Sequence, residues 1–176
     1  MEITGILLVG GASTRFGSPK ALARLGGETL AERAWQLLGL ACEDRIAVGK
    51  QADGLELGFP LVDDGTEVRA PLAGVVAGLR RAQNELCAIV PVDCPLLTVG
   101  ALHLLAAECR EAAVPQTGPL PGVYRRSVLP VLERRLAEGD LRLRGALAEL
   151  DVAVVTLPTD VLVNANTPEA LSRLAA

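Results

Sequence analysis

The stretch "ITGILLVGGASTRFGSPK", residues 3–20, decides how the rest of the chain is read. Its first seven residues form a continuous uncharged run of strand length, apolar but for Thr4. A strand with one wet face alternates apolar and polar side chains; an unbroken run is the mark of a strand covered on both faces, as in a parallel sheet. The run stops at Gly10 and Gly11, and a small polar patch with Arg15, Gly17 and Lys20 follows. Ser18 and Pro19 read as the cap and first residue of a short helix. A turn of this kind can aim backbone N–H groups at an anion, and glycine lets a ligand approach the backbone. The dinucleotide fingerprint GxGxxG is absent because position 12 is Ala. The P-loop pattern is absent because Ser18 and Pro19 separate Gly17 from Lys20. A phosphate-holding loop that serves neither a nicotinamide cofactor nor a P-loop kinase is the expectation; the rival is an ordinary turn with two surface cations.

Along the rest of the chain, runs of strand length alternate with stretches of helical period. "TLAERAWQLLGLA" reads as an amphipathic helix, with Thr29 and Glu32 spaced as a capping box. "DRIAVGK" and "LGFPLVDD" read as short strands, and "APLAGVVAGLRRAQNEL" as a helix with Pro71 in its first turn. "LCAIVPVD" is a buried strand ending on Asp93, and "TVGALHLLAAECREAA" a helix capped by Thr98. Further helices are expected from a Ser127 cap to a Gly139 stop, from an Asp140 cap, and over "TPEALSRLAA", with "VAVVTL" as a strand. Strands alternating with helices predict an α/β fold: one Rossmann-like domain over residues 1–176, with a mostly parallel sheet and helices on both faces. Ligands of such sheets bind beyond the carboxyl ends of the strands, so polar residues just after each strand carry the functional argument.

Composition narrows the function. Half of the residues are apolar, which excludes a disordered chain. Aromatics make up only 2%, so an aromatic platform for stacking bases is not expected. The net charge of −4, with no long run of one sign, lacks the basic footprint of a nucleic-acid or membrane binder. "MEITGILLVGG" has no basic leader, and no apolar run approaches the ~20 residues of a membrane helix. A cytoplasmic protein with a small ligand is expected. Cys42, Cys87, Cys94 and Cys109 form no CxxC pair, and the single His103 completes no zinc spacing, so all four read as reduced packing residues.

"LVGGASTRFGSPK", residues 8–20, resembles the signature of the molybdenum cofactor guanylyltransferases, Leu-Ala-Gly-Gly-x-Ser-x-Arg-Met-Gly-x-x-Lys. Val9 replaces Ala and Phe16 replaces Met. "LVDDG" with "APLAG" is similar to the family's acidic segment and the Gly-Pro-Leu-Ala-Gly after it, with Ala70 for the first glycine. "VPVDCPLL", "GPLPGVY" and "VNANTPEAL" resemble three further blocks, in the family's order. The resemblance implies a nucleotidyltransferase domain with a nucleotide-binding half, residues 1–97, and an acceptor-binding half, residues 98–176. It implies transfer of GMP from GTP to molybdopterin, with Mg²⁺ as the metal and transient contact with other proteins of the molybdenum cofactor pathway. The family's cytidylyl branch carries Ala where this chain has Gly10, which favours guanine. Siblings that use CTP on molybdopterin, or that activate a sugar or alcohol phosphate, are the main alternatives. A nucleotide binder that has lost its chemistry is a third.

The resemblance also implies roles. Lys20, Arg15 and Asp93 are the catalytic candidates. Lys20 is a compact charge for the triphosphate, Arg15 a fork for phosphate oxygens, and Asp93 the magnesium anchor. Leu8, Val9, Gly10, Gly11, Lys20, Asp64, Asp93, Asn164 and Asn166 are the nucleotide contacts. Asp63 and Asp64 point to opposite sides of an extended segment, and Asp64 matches the family pattern better. Asn164 and Asn166 share a side if their loop is extended; their other reading is local cap chemistry. The family's base-holding position after the second strand falls near Gln51, where Asn is usual, and Gly49 and Lys50 also depart from the pattern. His103 reads as packing or surface, Trp35 as core, and Arg80–Arg81 and Arg134–Arg135 as solvated helix faces, or as a basic helix end for the acceptor's phosphate.

Overall fold

A computed structural model describes residues 2–10 and 18–175. β1 (Ile3–Leu8) is followed by a hairpin of β2 (Arg24–Leu25) and β3 (Glu28–Thr29), then by α1 (Leu30–Ala41), β4 (Asp44–Gly49) and β5 (Leu61–Asp63). α2 (Pro71–Arg81), β6 (Leu86–Pro91), α3 (Val99–Glu108), β7 (Ala112–Pro115) and β8 (Gly122–Arg125) come next. The chain ends with α4 (Leu129–Glu138), α5 (Leu143–Leu147), β9 (Val152–Val155) and α6 (Pro168–Ala175). One sheet of seven strands has the order β5-β4-β1-β6-β8-β7-β9. β1 pairs in parallel with both β4 and β6. β8 alone is reversed: it is antiparallel to β6 and to β7, and the other strands share one direction.

All six residues of β1 are buried, as its unbroken apolar run predicts. Ile3, Leu7 and Val9 join a cluster with Leu38 of α1, Leu102 of α3 and Leu171 of α6. Ile6 and Leu8 face the other way, with Leu72 and Val76 of α2, Leu132 of α4 and Ala146 of α5. The sheet is mostly parallel with helices on both faces, as expected. α1 starts at the foreseen capping box: Thr29 Oγ1 accepts from Glu32 N at 3.1 Å, and a Glu32 carboxylate oxygen accepts from Thr29 N at 2.7 Å. Thr98 caps α3, Thr167 accepts from Ala170 N, and Gly139 ends α4 with φ +76°.

Several local expectations are corrected. The helix expected over 98–113 ends at Glu108, and Ala112 and Ala113 open β7. A short run of alanines fits helix or strand, and pairing with β8 and β9 settles it. "GPLPGVY", given no element from sequence, supplies most of β8. Ser18 caps nothing; Pro19 precedes a short 3-10 turn at Lys20–Leu22 that has no side-chain cap. Ser127 lies inside another such turn, and α4 starts at Leu129 without a side-chain cap. Asp140 does not cap α5 but binds Arg135 Nη2 at 2.6 Å. Arg135 also bonds Glu149 and is buried, so it is no solvated face. Arg80 bonds Glu133 of α4 at 2.6 Å but stays exposed, in keeping with a solvated helix face. Trp35 is half-buried rather than core: Phe59 stacks on it at 4.4 Å and the Arg45 guanidinium lies 4.3 Å from its centroid. His103 does take the expected packing role: its Nε2 meets the Ala41 carbonyl at 2.9 Å and ties α3 to α1.

α2 lies so close to β1 that a methyl group on Gly78 would sit 2.5 Å from Ile6 Cγ2. Gly78→Ala is expected to destabilise the protein by about 1–3 kcal/mol through overpacking. A methyl at Gly100 of α3 meets nothing within 4 Å. Gly100→Ala should therefore stabilise by about 0.5 kcal/mol through helix propensity. Urea unfolding of both variants measures the contrast; equal effects would contradict the close approach at Gly78.

Candidate active site

β1 leads through α1 to β4 on one side, and β5 leads through α2 to β6 on the other. The strand order therefore reverses between β1 and β6. Open α/β sheets bind ligands beyond the carboxyl ends of the strands at such a switch point. Asp93 stands in the turn after β6, and Lys20 reaches it from the 3-10 turn that follows the glycine loop. Lys20 Nζ is 3.4 Å from Asp93 Oδ2 and donates to Asn166 Oδ1 at 3.1 Å. Side-chain exposures of 19% for Lys20 and 26% for Asp93 leave both within reach of a ligand.

The loop that carries Asn164 and Asn166 is docked on the same turn. Ala165 N donates to the Asp93 carbonyl at 2.9 Å, and Cys94 Sγ donates to Asn164 Oδ1 at 3.1 Å. Burial pushes the Cys94 thiol up, with the Asp93 charge adding to it, so the sulfur stays protonated and acts as a donor. All four cysteines are free thiols.

On the other flank of β1 a cavity of about 250 Å³ opens beyond β1, β4 and the start of α2. Leu8, Gly10, Gly49, Lys50, Asp64 and Gly74 are among its walls. Asp63 and Asp64 do point apart. Asp63 takes the N–H groups of Gln51 at 2.8 Å and Gly65 at 2.7 Å, which hold its carboxyl below the usual range. Asp64 turns to the cavity, where Lys50 Nζ meets its two oxygens at 2.7 and 2.8 Å. Arg69, also on the cavity wall, grips Asp53 with two bonds, of 3.2 and 2.7 Å.

Leu8 and Gly10 line the cavity, whereas Val9 packs its side chain on the opposite face and gives its N–H to Val48 O at 2.9 Å. Gly11 and Arg15 lie outside the described residues. Lys50 is the polar residue that sequence reasoning passed over. Its place directly after the strand "DRIAVG" was a signal, by the same rule that singled out Asp93. Gln51 is exposed.

A lysine and a carboxylate beyond the switch point, beside a cavity large enough for a base, define a nucleotide-using enzyme of the α/β class. Comparison with known proteins narrows the class. Residues 5–154 match the model of the MobA-like NTP transferase domain, and the chain belongs to that family. A probable molybdenum cofactor guanylyltransferase of Deinococcus radiodurans is 34% identical, covering 99% of this chain and 95% of its own length. A similarly named protein of Chloroflexus aggregans is 33% identical over 100% of this chain and 95% of its own. Among solved structures, molybdopterin-guanine dinucleotide biosynthesis protein A from Archaeoglobus fulgidus superposes with a TM-score of 0.82 at 25% identity, covering 98% and 96% of the two chains. The fold is thus that of the nucleotidyltransferases.

The Cys94–Asn164 bond generates a test. Cys94→Ala removes the donor and should cost about 1 kcal/mol. It should also speed hydrogen exchange of the Ala165 amide, whose bond to Asp93 the thiol supports. Cys94→Ser should restore slow exchange. Unchanged exchange in the alanine variant would mean that the thiol does not anchor this loop.

Proposed function

We propose that this protein transfers GMP from GTP to the terminal phosphate of molybdopterin, giving the guanine dinucleotide form of the cofactor and pyrophosphate. The observation that carries the reading is the Lys20–Asp93–Asn166 cluster at the switch point, beside a cavity on Gly10. The names of the relatives point the same way. Residues 1–97 would bind the nucleotide and residues 98–176 the acceptor. The triphosphate would lie across the end of β1, with its base toward Gly10 and Asp64 and its phosphates toward Lys20. Leu8, Val9, Gly10 and Gly11 would pass beneath it, and Asn164 and Asn166 would border the α-phosphate side.

In this reading an acceptor phosphate oxygen attacks the α-phosphorus, the bond to the bridging oxygen of the β-phosphate breaks, and pyrophosphate leaves. Such transfers need in-line positioning and cancellation of charge more than covalent help. Lys20 would neutralise the non-bridging oxygens, and Arg15 would grip the phosphates from the glycine loop. Among the described residues no three of His, Cys, Asp and Glu gather into a metal cage. One quarter-exposed carboxylate nevertheless fits Mg²⁺, which takes one or two carboxylates and fills its shell with phosphates and water. Asp93 would hold it, and the ion would supply charge cancellation at the phosphates. No helix among the described residues is long and apolar enough to cross a membrane. A cytoplasmic setting, with transient contacts to other proteins that handle the molybdenum cofactor, completes the proposal.

The test is an incubation of the purified protein with Mg²⁺, molybdopterin and each nucleoside triphosphate in turn, read as pyrophosphate release. Release with GTP is expected. Release with CTP alone would move the protein to a cytidylyl reading, and none with any triphosphate would leave only a binder. Asp93→Ala should abolish turnover. Its unfolding midpoint should hardly change, because the Asp93 group that docks Ala165 is the backbone carbonyl. Near-normal rates in this variant would remove Asp93 from the metal site.

A further inference from the structure

The cavity wall beside Gly10 contains an ion pair in which Asp64 faces the proposed base and Lys50 has no role in the transfer chemistry. Side-chain exposures are 9% for Lys50 and 7% for Asp64. Lysine is rarely buried this deeply unless paired, and a buried pair does little for stability that apolar side chains could not do. Both residues line the cavity, so a ligand there must face them.

Counting donors and acceptors shows what the pair can take. Lys50 has three N–H groups, which meet Asp64 Oδ1, Asp64 Oδ2 and the Thr66 carbonyl. The carboxylate has about four acceptor positions. Lys50 fills two, and Thr66 N fills one on Oδ1 at 3.2 Å. One acceptor position on Oδ2 stays open.

We propose that Lys50 and Asp64 together read the base, and that the base they match is guanine. The inference rests on the proposed use of GTP and names the residues that select it. Guanine carries adjacent N1–H and N2–H donors beside the O6 acceptor. Lys50 releases one carboxylate contact and donates to O6, while Asp64 accepts from N1–H and N2–H. After the exchange Lys50 still donates three bonds: to O6, to Asp64 and to Thr66. Asp64 accepts four: two from guanine, one from Lys50 and one from Thr66 N. No buried polar group is left open, which matters because an unmade bond there costs more than a made one returns. Adenine would set its N6 donor against the ammonium and its N1 lone pair against the carboxylate. Cytosine has one donor group and two acceptors, and it would leave the carboxylate half unmatched.

The test is equilibrium binding of GTP, ITP, ATP and CTP by titration calorimetry, with no acceptor present. The native protein should prefer GTP. Lys50→Met should weaken GTP about tenfold or more, since a bond to a charged group is lost. ITP keeps O6 and N1–H, so it should weaken by a similar factor, while CTP and ATP should change little. Equal weakening of all four would mark Lys50 as a structural support only and overturn the proposal, as would an unchanged GTP preference. If circular dichroism shows Lys50→Met unfolded, Lys50→Gln, which keeps an N–H donor for Asp64, is titrated in its place with the same criteria. Because binding is read without molybdopterin, failure of the transfer assay and failure of this inference remain separate outcomes.

Discussion

Everything at the site depends on the pairing of β1 with two parallel neighbours. β1 is held to β4 from Thr4 to Leu8 and to β6 from Ile3 to Leu8, and its side chains are buried on both faces. Neither face can tolerate a register slip, because a shift of one residue would exchange the two core clusters. The residues just after β1, β4 and β6 are therefore set side by side with little freedom. They are Gly10, Lys50 and Asp93. A rigid sheet, more than any loop, decides that the Lys50 cation and the Asp93 carboxylate flank the end of β1.

The two ion pairs on either side of that end differ in kind. Lys20 and Asp93 are 3.4 Å apart and partly exposed, and Lys20 is shared with Asn166. A loose, partly wet pair gains little by staying closed, so a ligand can part it at small cost. Lys50 and Asp64 are nearly dry and bonded through both carboxylate oxygens. Opening that pair is costly unless the ligand replaces each bond it displaces. The first arrangement suits phosphates, which bring charge and can carry a metal. The second suits a base, which brings a fixed pattern of donors and acceptors.

Legibility in the sequence followed the range of the forces involved. The unbroken run in β1, the Thr29–Glu32 capping box and the Thr98 cap are local, and each appears where residue pattern alone places it. Lys20 and Asp93 could be singled out because both follow a strand end, although the bond between them spans 73 positions. Parity separated Asp63 from Asp64, and the structure shows the first holding backbone and the second lining a cavity. What could not be read was partnership across the fold. Arg135 looks like a surface cation until α5 and its flanks bring Asp140 and Glu149 to it. β7 and β8 are short and carry weak patterns, so tertiary pairing had to choose strand over helix.

The second half of the chain reaches the site through a single docked loop. After β9 and a 3-10 turn at Thr159–Leu162, residues 163–167 cross to the turn after β6. One backbone bond from Ala165 and one thiol bond from Cys94 hold them there, and Asn166 meets Lys20 from that position. Among the described residues, Lys20 is thus touched by two distant segments, the Asp93 turn and the Asn166 loop. A cation placed by three parts of the chain keeps its position only when all three are folded. The same design ties the side of the site that would hold the nucleotide to the part of the chain that would receive the acceptor. An acceptor that shifts residues 163–167 would be felt at Lys20 through Asn166, without any change in the sheet beneath.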